Sequence, residues 1–240
     1  VHTFAKMIKL IDALGLRVEN FFAYLVGATC PACGRLGASI CNSCTKKITD
    51  SCFVNLDNKQ PEYHGTVLVA FEYNSVIRKM ILNFKYRNQR SSLRFIGDAL
   101  VQRLRVEQSR SLQRLDLVTW APTTTKRRVE RGFDHAELIA KYVAKQLSVP
   151  CRKVLVRLSD RPQTGKSRNA RLVGPTFLAR NFDAEHVLLI DDVVTTGATL
   201  NSASHALYQA GAGLVTCMAV ASTVLWQSST ESYAPEKARK

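Results

Sequence analysis

The chain has 240 residues, of which 46% are apolar and 22% charged, which suits an enzyme-sized core with a modest appendage and excludes a peptide, a repeat array or a disordered protein. Its 34 Lys and Arg against 19 Asp and Glu give a net charge of +15, and residues 66–180 alone hold 24 bases against 8 acids, a surplus of 16, while residues 1–65 carry +2 and residues 181–240 carry −3. A field of that sign attracts polyanions, either phosphorylated small molecules or nucleic acid, the alternative being a solvated basic surface.

Residues 1–20 place Phe4, Met7, Ile8, Ile11 and Leu14 on one face of a predicted helix, a stripe that packs on the rest of the protein better than on a membrane, because its polar face is not strongly basic. The apolar run that follows, Phe21 to Ala28, is far below the roughly 20 residues a bilayer-spanning helix needs, so no integral membrane segment is expected. A secretory signal is not expected either, since its basic, apolar and cleavage regions do not occur in order. Seven cysteines, an odd number, argue against a disulfide framework and fit a reducing compartment, the cytoplasm.

Four of those cysteines form two pairs, Cys30-Pro-Ala-Cys33 and Cys41-Asn-Ser-Cys44, with seven residues between them. Each two-residue spacer lets a tight turn aim two sulfurs at one point, and two such turns complete a tetrahedral thiolate site for zinc. All four positions are then filled by protein, so the metal is structural and holds together a segment with little core of its own. The alternatives are a redox dithiol, which lacks a thioredoxin-like context here, and buried core thiols. Cys52 and His64, single residues further on, are read as ordinary packing or surface.

From Thr66 the texture changes to short apolar runs alternating with amphipathic stripes, the pattern of an α/β sheet covered by helices. Strands are expected near Thr66–Tyr73, Leu115–Ala121, Val154–Leu158, Val187–Val194 and Leu214–Ala221, with helical stripes at Val76, Met80, Ile81 and Phe84 and at Phe133, Ala136, Ala140, Val143 and Leu147. The expected division is a helix and four-cysteine module over residues 1–65, a catalytic-scale domain over 66–224, and a polar, flexible tail over 225–240.

The most informative segment is Val187-Leu-Leu-Ile-Asp191-Asp192-Val-Val-Thr195-Thr196-Gly197-Ala198-Thr199-Leu200. A buried strand ends in two carboxylates, and a Thr- and Gly-containing turn leads into a helix, at the edge where open α/β sheets bind ligands. Small residues let backbone N–H groups close around a phosphate while the helix start adds partial positive charge. The adjacent carboxylates would repel that phosphate, so they should face hydroxyls or a metal-bound group a few ångströms away. A ribose diol with a 5-phosphate meets both demands.

The segment resembles the phosphoribosyl pyrophosphate (PRPP) motif of type I phosphoribosyltransferases at every position of its pattern. Phe84-Lys85-Tyr86, Ala121-Pro122, Arg131-Gly132-Phe133-Asp134-His135-Ala136, and Arg157 with Gln163 and Arg171, behind the four-cysteine module, together resemble the ComF/GntX family of competence-associated proteins over residues 21–222. Members read Asn-Gln where this chain has Asp134-His135, and the stretch from Arg171 to Phe177 is about two residues shorter here. The resemblance implies a type I phosphoribosyltransferase fold with a small zinc-ribbon-like module on the four cysteines. It further implies that Asp191 and Asp192 contact the ribose hydroxyls, that Thr195, Thr196, Gly197, Ala198 and Thr199 wrap the 5-phosphate, and that Mg2+ accompanies PRPP.

Two basic stretches flank that site. Lys126, Arg127, Arg128 and Arg131 follow a strand that reaches the same edge and are candidates for pyrophosphate. Arg161, Gln163, Lys166, Arg168 and Arg171 fall where phosphoribosyltransferases carry a lid, and lids exclude water from charged intermediates. Each base also has the ordinary reading of a solvated side chain. Two functions follow. One is a phosphoribosyltransferase whose acceptor the sequence does not name. The other is a non-catalytic, PRPP-sensing module that binds single-stranded DNA, for which Phe84-Lys85-Tyr86-Arg87 offers an aromatic-basic mixture. The resemblance implies a role in competence and the handling of imported DNA, with DNA-uptake machinery as partner. A zinc-ribbon transcription factor is disfavoured, because no helix-turn-helix or finger spacing occurs.

Overall fold

The computed structural model describes residues 29–36, 40–49, 52–56, 67–86, 91–108, 114–159 and 175–223. The expected helix over residues 1–20 and the tail over 225–240 lie outside them. The described elements, in chain order, are α1 (Asn42–Thr49), β1 (Cys52–Leu56), β2 (Val67–Glu72), α2 (Ser75–Tyr86), α3 (Ser91–Gln108), β3 (Leu117–Trp120), α4 (Thr125–Arg131), α5 (His135–Leu147), β4 (Leu155–Ser159), β5 (Thr176–Ala179), β6 (His186–Val194), α6 (Ala198–Gln209) and β7 (Leu214–Ser222). Among them no helix is long and apolar enough to cross a membrane.

Five strands form one sheet in the order β1-β2-β7-β6-β3. β2, β7, β6 and β3 run parallel, and β1 adds an antiparallel edge through Cys52 opposite Phe71 and Val54 opposite Val69. β1 was not among the expected strands, and it brings a strand from before residue 66 into the sheet. A parallel sheet needs apolar side chains on both faces, and the alternation of the strands supplies them. Leu68 and Ala70, Leu188 and Ile190, and Met218 and Val220 pack under α2, α3 and α5, whereas Val67 and Val69, Val187 and Leu189, and Cys217 and Ala219 pack under α6. Truncating one central residue, Leu188→Ala, should cost about 2–5 kcal/mol.

The strand expected near Val154 is present as β4 but does not join this sheet. It pairs antiparallel with β5, an element the periodicity did not announce. The reason is visible in burial: Val154, Leu155 and Phe177 are buried while Leu158 and Leu178 are exposed, so the pair buries one side only, against α6 and its neighbours. Beyond β3 the sheet edge is extended by a single parallel bridge from Val118 to Cys151, where Val118 N donates to Pro150 O at 2.9 Å.

Helices α3 and α5 lie close enough that Gly97 is required. A Cβ there would overlap the ring of Tyr142, whose hydroxyl donates to Asp98 Oδ1 at 2.7 Å. This packing fixes α5, and with it the residues that enter the site from its first turn.

Candidate functional site

β6 carries the acidic pair. Val187 to Ile190 are fully buried, and the strand continues through Asp191 and Asp192 to Val194, so the carboxylates sit inside the strand near its end, not after it. Strand alternation sends them to opposite faces. Asp191 lines a small cleft of about 20 Å³ with residues 193–200, while Asp192 forms an ion pair with Lys85, both groups largely shielded from water. Burial raises the Asp191 carboxyl above its ordinary range, and the neighbouring Asp192 charge adds to that, opposed by the Asp192 N–H donated to Asp191 Oδ1 at 2.8 Å. After Val194 the chain exposes Thr195 and Thr196. It turns through Gly197 at φ 77° and starts α6 at Ala198. The positive φ suits glycine. Ala198 N points toward Thr196 Oγ1 at 3.4 Å.

A larger cavity, about 200 Å³, opens beside the pair. Its floor is Asp191 to Val193. One wall is Ala121 to Thr123, the loop after β3, and another is Asp134 to Ala136 at the start of α5. Four cations reach it, Lys85, Arg127, Arg131 and Arg157, and Thr199 of the turn closes it. Thr124 caps α4 by accepting from Arg127 N at 3.1 Å, and Gly132 ends that helix at φ 79°. With no buried residue of its own, α4 serves to present charge.

The structure separates the basic candidates. Arg127 and Arg131 line the cavity, and Arg131 also donates to Tyr86 Oη at 2.8 Å with its guanidinium 4.9 Å from that ring's centre. Lys126 faces a second groove of about 320 Å³ with Thr123 to Thr125, Lys153 and Arg157. Arg128 lies 3.9 Å from Glu137. Arg161, Gln163, Lys166, Arg168 and Arg171 lie outside the described residues.

Other groups in the cavity were not singled out as site residues. Asp134 is buried, and its carboxylate accepts from Thr123 N at 2.8 Å and from Ala136 N at 3.1 Å, tying the β3 loop to the start of α5. Burial raises its pKa, partly offset by those N–H donors. An Asp immediately before an apolar stripe is a legible helix cap. His135 is buried with Nε2 3.2 Å from Phe84 O, between the rings of Phe84 and Phe133. Burial holds its pKa down at about 4, so it is neutral at pH 7, and the carbonyl acceptor assigns its proton to Nε2. Lys85 follows an apolar stripe, which gives no hint that it reaches a strand more than 100 residues away. Arg157 Nη1 lies 3.4 Å from Pro122 O, and its guanidinium stands 5.6 Å from the Phe177 ring centre; only the fold joins those segments.

The cysteines converge as their spacing requires. Gly34 N donates to Cys30 O at 2.7 Å, and Cys44 N to Cys41 O at 2.9 Å, which closes the two turns. The four sulfurs of Cys30, Cys33, Cys41 and Cys44 lie within 4.8 Å of one another, with 3.5 Å between Cys33 and Cys41. Sulfurs bound at about 2.3 Å around one zinc stand about 3.8 Å apart, so the set fits a tetrahedral ion. The Ser43 hydroxyl, 3.2 Å away, leads the influences that lower the Cys41 thiol to about 6, while burial raises Cys44. Cys217 is buried within β7, and the Cys52 side chain and His64 lie outside what the structure describes. The buried cysteines share one core cluster with Met80 and Phe84 of α2.

A family model described as phosphoribosyl transferase domain matches residues 134–238. The chain is 27% identical to the Bacillus subtilis protein named Competence protein ComFC over 201 residues, covering 78% of this chain and 74% of that one. It is 25% identical to Competence protein F of Haemophilus influenzae, covering 75% and 80%. A solved adenine phosphoribosyltransferase is 14% identical with a TM-score of 0.39, covering 75% of this chain and 89% of that one.

Proposed function

The chain belongs to the ComF family and carries a phosphoribosyltransferase domain, and from that premise we propose that it binds PRPP with magnesium at the Asp191–Asp192 loop and transfers the phosphoribosyl group to an acceptor. The observation that carries this reading is that Asp191 and Asp192 line the same cavity as Arg127 and Arg131, and that the Thr195–Thr199 turn lines a small adjoining cleft which shares Asp191, Val193 and Thr199 with it. Asp191 and Asp192 take the ribose hydroxyls, Thr195 to Thr199 enclose the 5-phosphate, and the arginines take the pyrophosphate. The bond from the anomeric carbon to pyrophosphate breaks with its electron pair going to the leaving group, and an acceptor nucleophile forms the new bond to that carbon. The protein contributes positioning and electrostatic stabilisation, so no nucleophilic side chain is needed. Magnesium would offset pyrophosphate charge, and zinc would hold the four-cysteine module.

The test is pyrophosphate release from PRPP and magnesium with candidate acceptors. Release that depends on an acceptor supports the transferase. PRPP binding with no release under any acceptor favours the second reading, a PRPP-sensing module that holds single-stranded DNA during uptake in the cytoplasm. The surplus of 16 positive charges in residues 66–180 favours that reading, as does the exposed ring of Tyr86 beside Arg131; Phe84 is buried and does not contribute. Four to six phosphate contacts would give a slope of log affinity against log salt of roughly −3 to −4.

A further inference from the structure

We infer that the cysteine knuckle sets the position of Lys85 against Asp192, with Asn83 as the positioning residue that transmits the constraint. The inference rests on reading the Asp191–Asp192 loop as the PRPP site. Asn83 and Lys85 both belong to the last turn of α2, and residues two apart on a helix point to opposite sides. On one side, Asn83 Nδ2 donates to Pro31 O at 2.6 Å, across 52 residues of sequence. Pro31 lies between Cys30 and Cys33, so its carbonyl is placed by the same turn that aims those sulfurs. On the other side, the Lys85 ammonium meets Asp192.

The two residues between and beside them are also fixed. Phe84 O meets His135 Nε2 at 3.2 Å, and Tyr86 Oη accepts from Arg131 at 2.8 Å. Consecutive residues 83 to 86 are therefore held by four different segments. Helix ends fray, because their last carbonyls have no partner within the helix. A lysine on a flexible stem at such an end keeps a fixed address only if the turn beneath it is anchored. Phe84 is buried and so anchors the turn by packing, but the Asn83 bond is the polar contact that defines its rotation relative to the knuckle. The consequence for the site is electrostatic: Lys85 balances one of two adjacent carboxylates before an anionic ligand arrives. Without it, PRPP would approach an uncompensated acidic pair.

The experiment compares wild type, Asn83→Leu, Lys85→Met and the double variant in the full-length, metal-loaded protein. Three quantities are read: zinc content, labelling of Lys85 by an amine-acylating reagent followed by mass spectrometry, and PRPP affinity by calorimetry with magnesium. The expected result is full zinc in Asn83→Leu, Lys85 labelling raised several-fold, and PRPP affinity reduced about three- to ten-fold, with the affinity loss disappearing in the Lys85→Met background because the two residues act through one contact. Removing zinc from wild type with a chelator should raise Lys85 labelling in the same way. Unchanged Lys85 labelling in both Asn83→Leu and the chelated protein overturns the inference, and so do additive affinity losses, which indicate a merely structural role. A wild type that binds no PRPP defeats the reading of the carboxylate loop instead, and the labelling still decides whether Asn83 positions Lys85.

Discussion

The cysteine knuckle and the carboxylate loop are the two sites proposed to hold charged ligands, and they are built in opposite ways. The knuckle is complete within fifteen residues: two turns with their own hydrogen bonds bring four sulfurs together. The carboxylate site draws on α2, the β3 loop, α4, α5, β4 and β6, and becomes a cavity only when the sheet has formed. A local site with little core around it would depend on a metal for stability, whereas an assembled one inherits stability from the core and should tolerate loss of a ligand-facing group. A knuckle indifferent to its metal, or a cavity that collapsed on losing one ligand-facing group, would break this contrast.

The largest effect is expected at the knuckle. Structural zinc can contribute on the order of 10 kcal/mol to folding of a small module, so Cys41→Ser should lose most of its zinc and melt the segment around α1. Metal analysis of protein purified without chelator should return about one equivalent for wild type and less than half for the variant, and full zinc in Cys41→Ser would count against a metal-dependent knuckle. At the assembled site, Asp134→Ala removes the α5 cap and leaves Thr123 N unpaired, for a cost of about 2–3 kcal/mol in chemical denaturation. A cost near zero would mean the β3 loop is held by other contacts.

His135 provides a pH test of similar size. Its pKa in the fold is about 4, below the ordinary 6.5, with burial as the main cause. A depressed value means that its contribution to stability is present in full above about 6.5 and is lost as pH falls through 4, a loss approaching about 3 kcal/mol. His135→Gln should flatten that acid limb, and an unchanged limb would place the titrating group elsewhere. The smallest effects sharpen the contrast among the α4 bases. Arg127→Ala should weaken PRPP binding about ten-fold, the value of a charge-assisted hydrogen bond, and Arg128→Ala less than two-fold, as an exposed pair warrants. Equal losses in titration calorimetry would show that α4 acts as a diffuse field.

The same contrast explains what could be read from the sequence. The knuckle was legible to the residue, because its geometry is local and its spacer lengths encode it. The acidic pair and the Thr195–Thr199 turn were legible for the same reason: strand, carboxylates, glycine and helix follow one another without a break. The parallel strands were marked by runs such as Val187 to Ile190. Lys85 and Arg157 stood out only as residues of the family resemblance, and Lys85 also in the aromatic-basic run; that both line the carboxylate cavity, and that Lys126 faces a second groove, was not legible, because those placements depend on which strands become neighbours. β5 was missed because a four-residue strand with only Phe177 buried lacks the periodicity that would mark it. β1 was missed because Cys52 to Leu56 acquires its meaning from pairing with β2.

Calorimetric titration of wild type beside the Asp191→Ala, Asp192→Ala double variant decides whether PRPP and magnesium bind at the Asp191–Asp192 loop. Both carboxylates line the cavity rather than the packed core, so the double variant should stay folded, as circular dichroism and thermal melting would verify. Wild type should bind with a clear magnesium-dependent heat, and the folded double variant should lose affinity by about 100-fold or more, as expected when charge-assisted contacts to two hydroxyls are removed. Unchanged affinity in a double variant that is demonstrably folded would contradict the assignment.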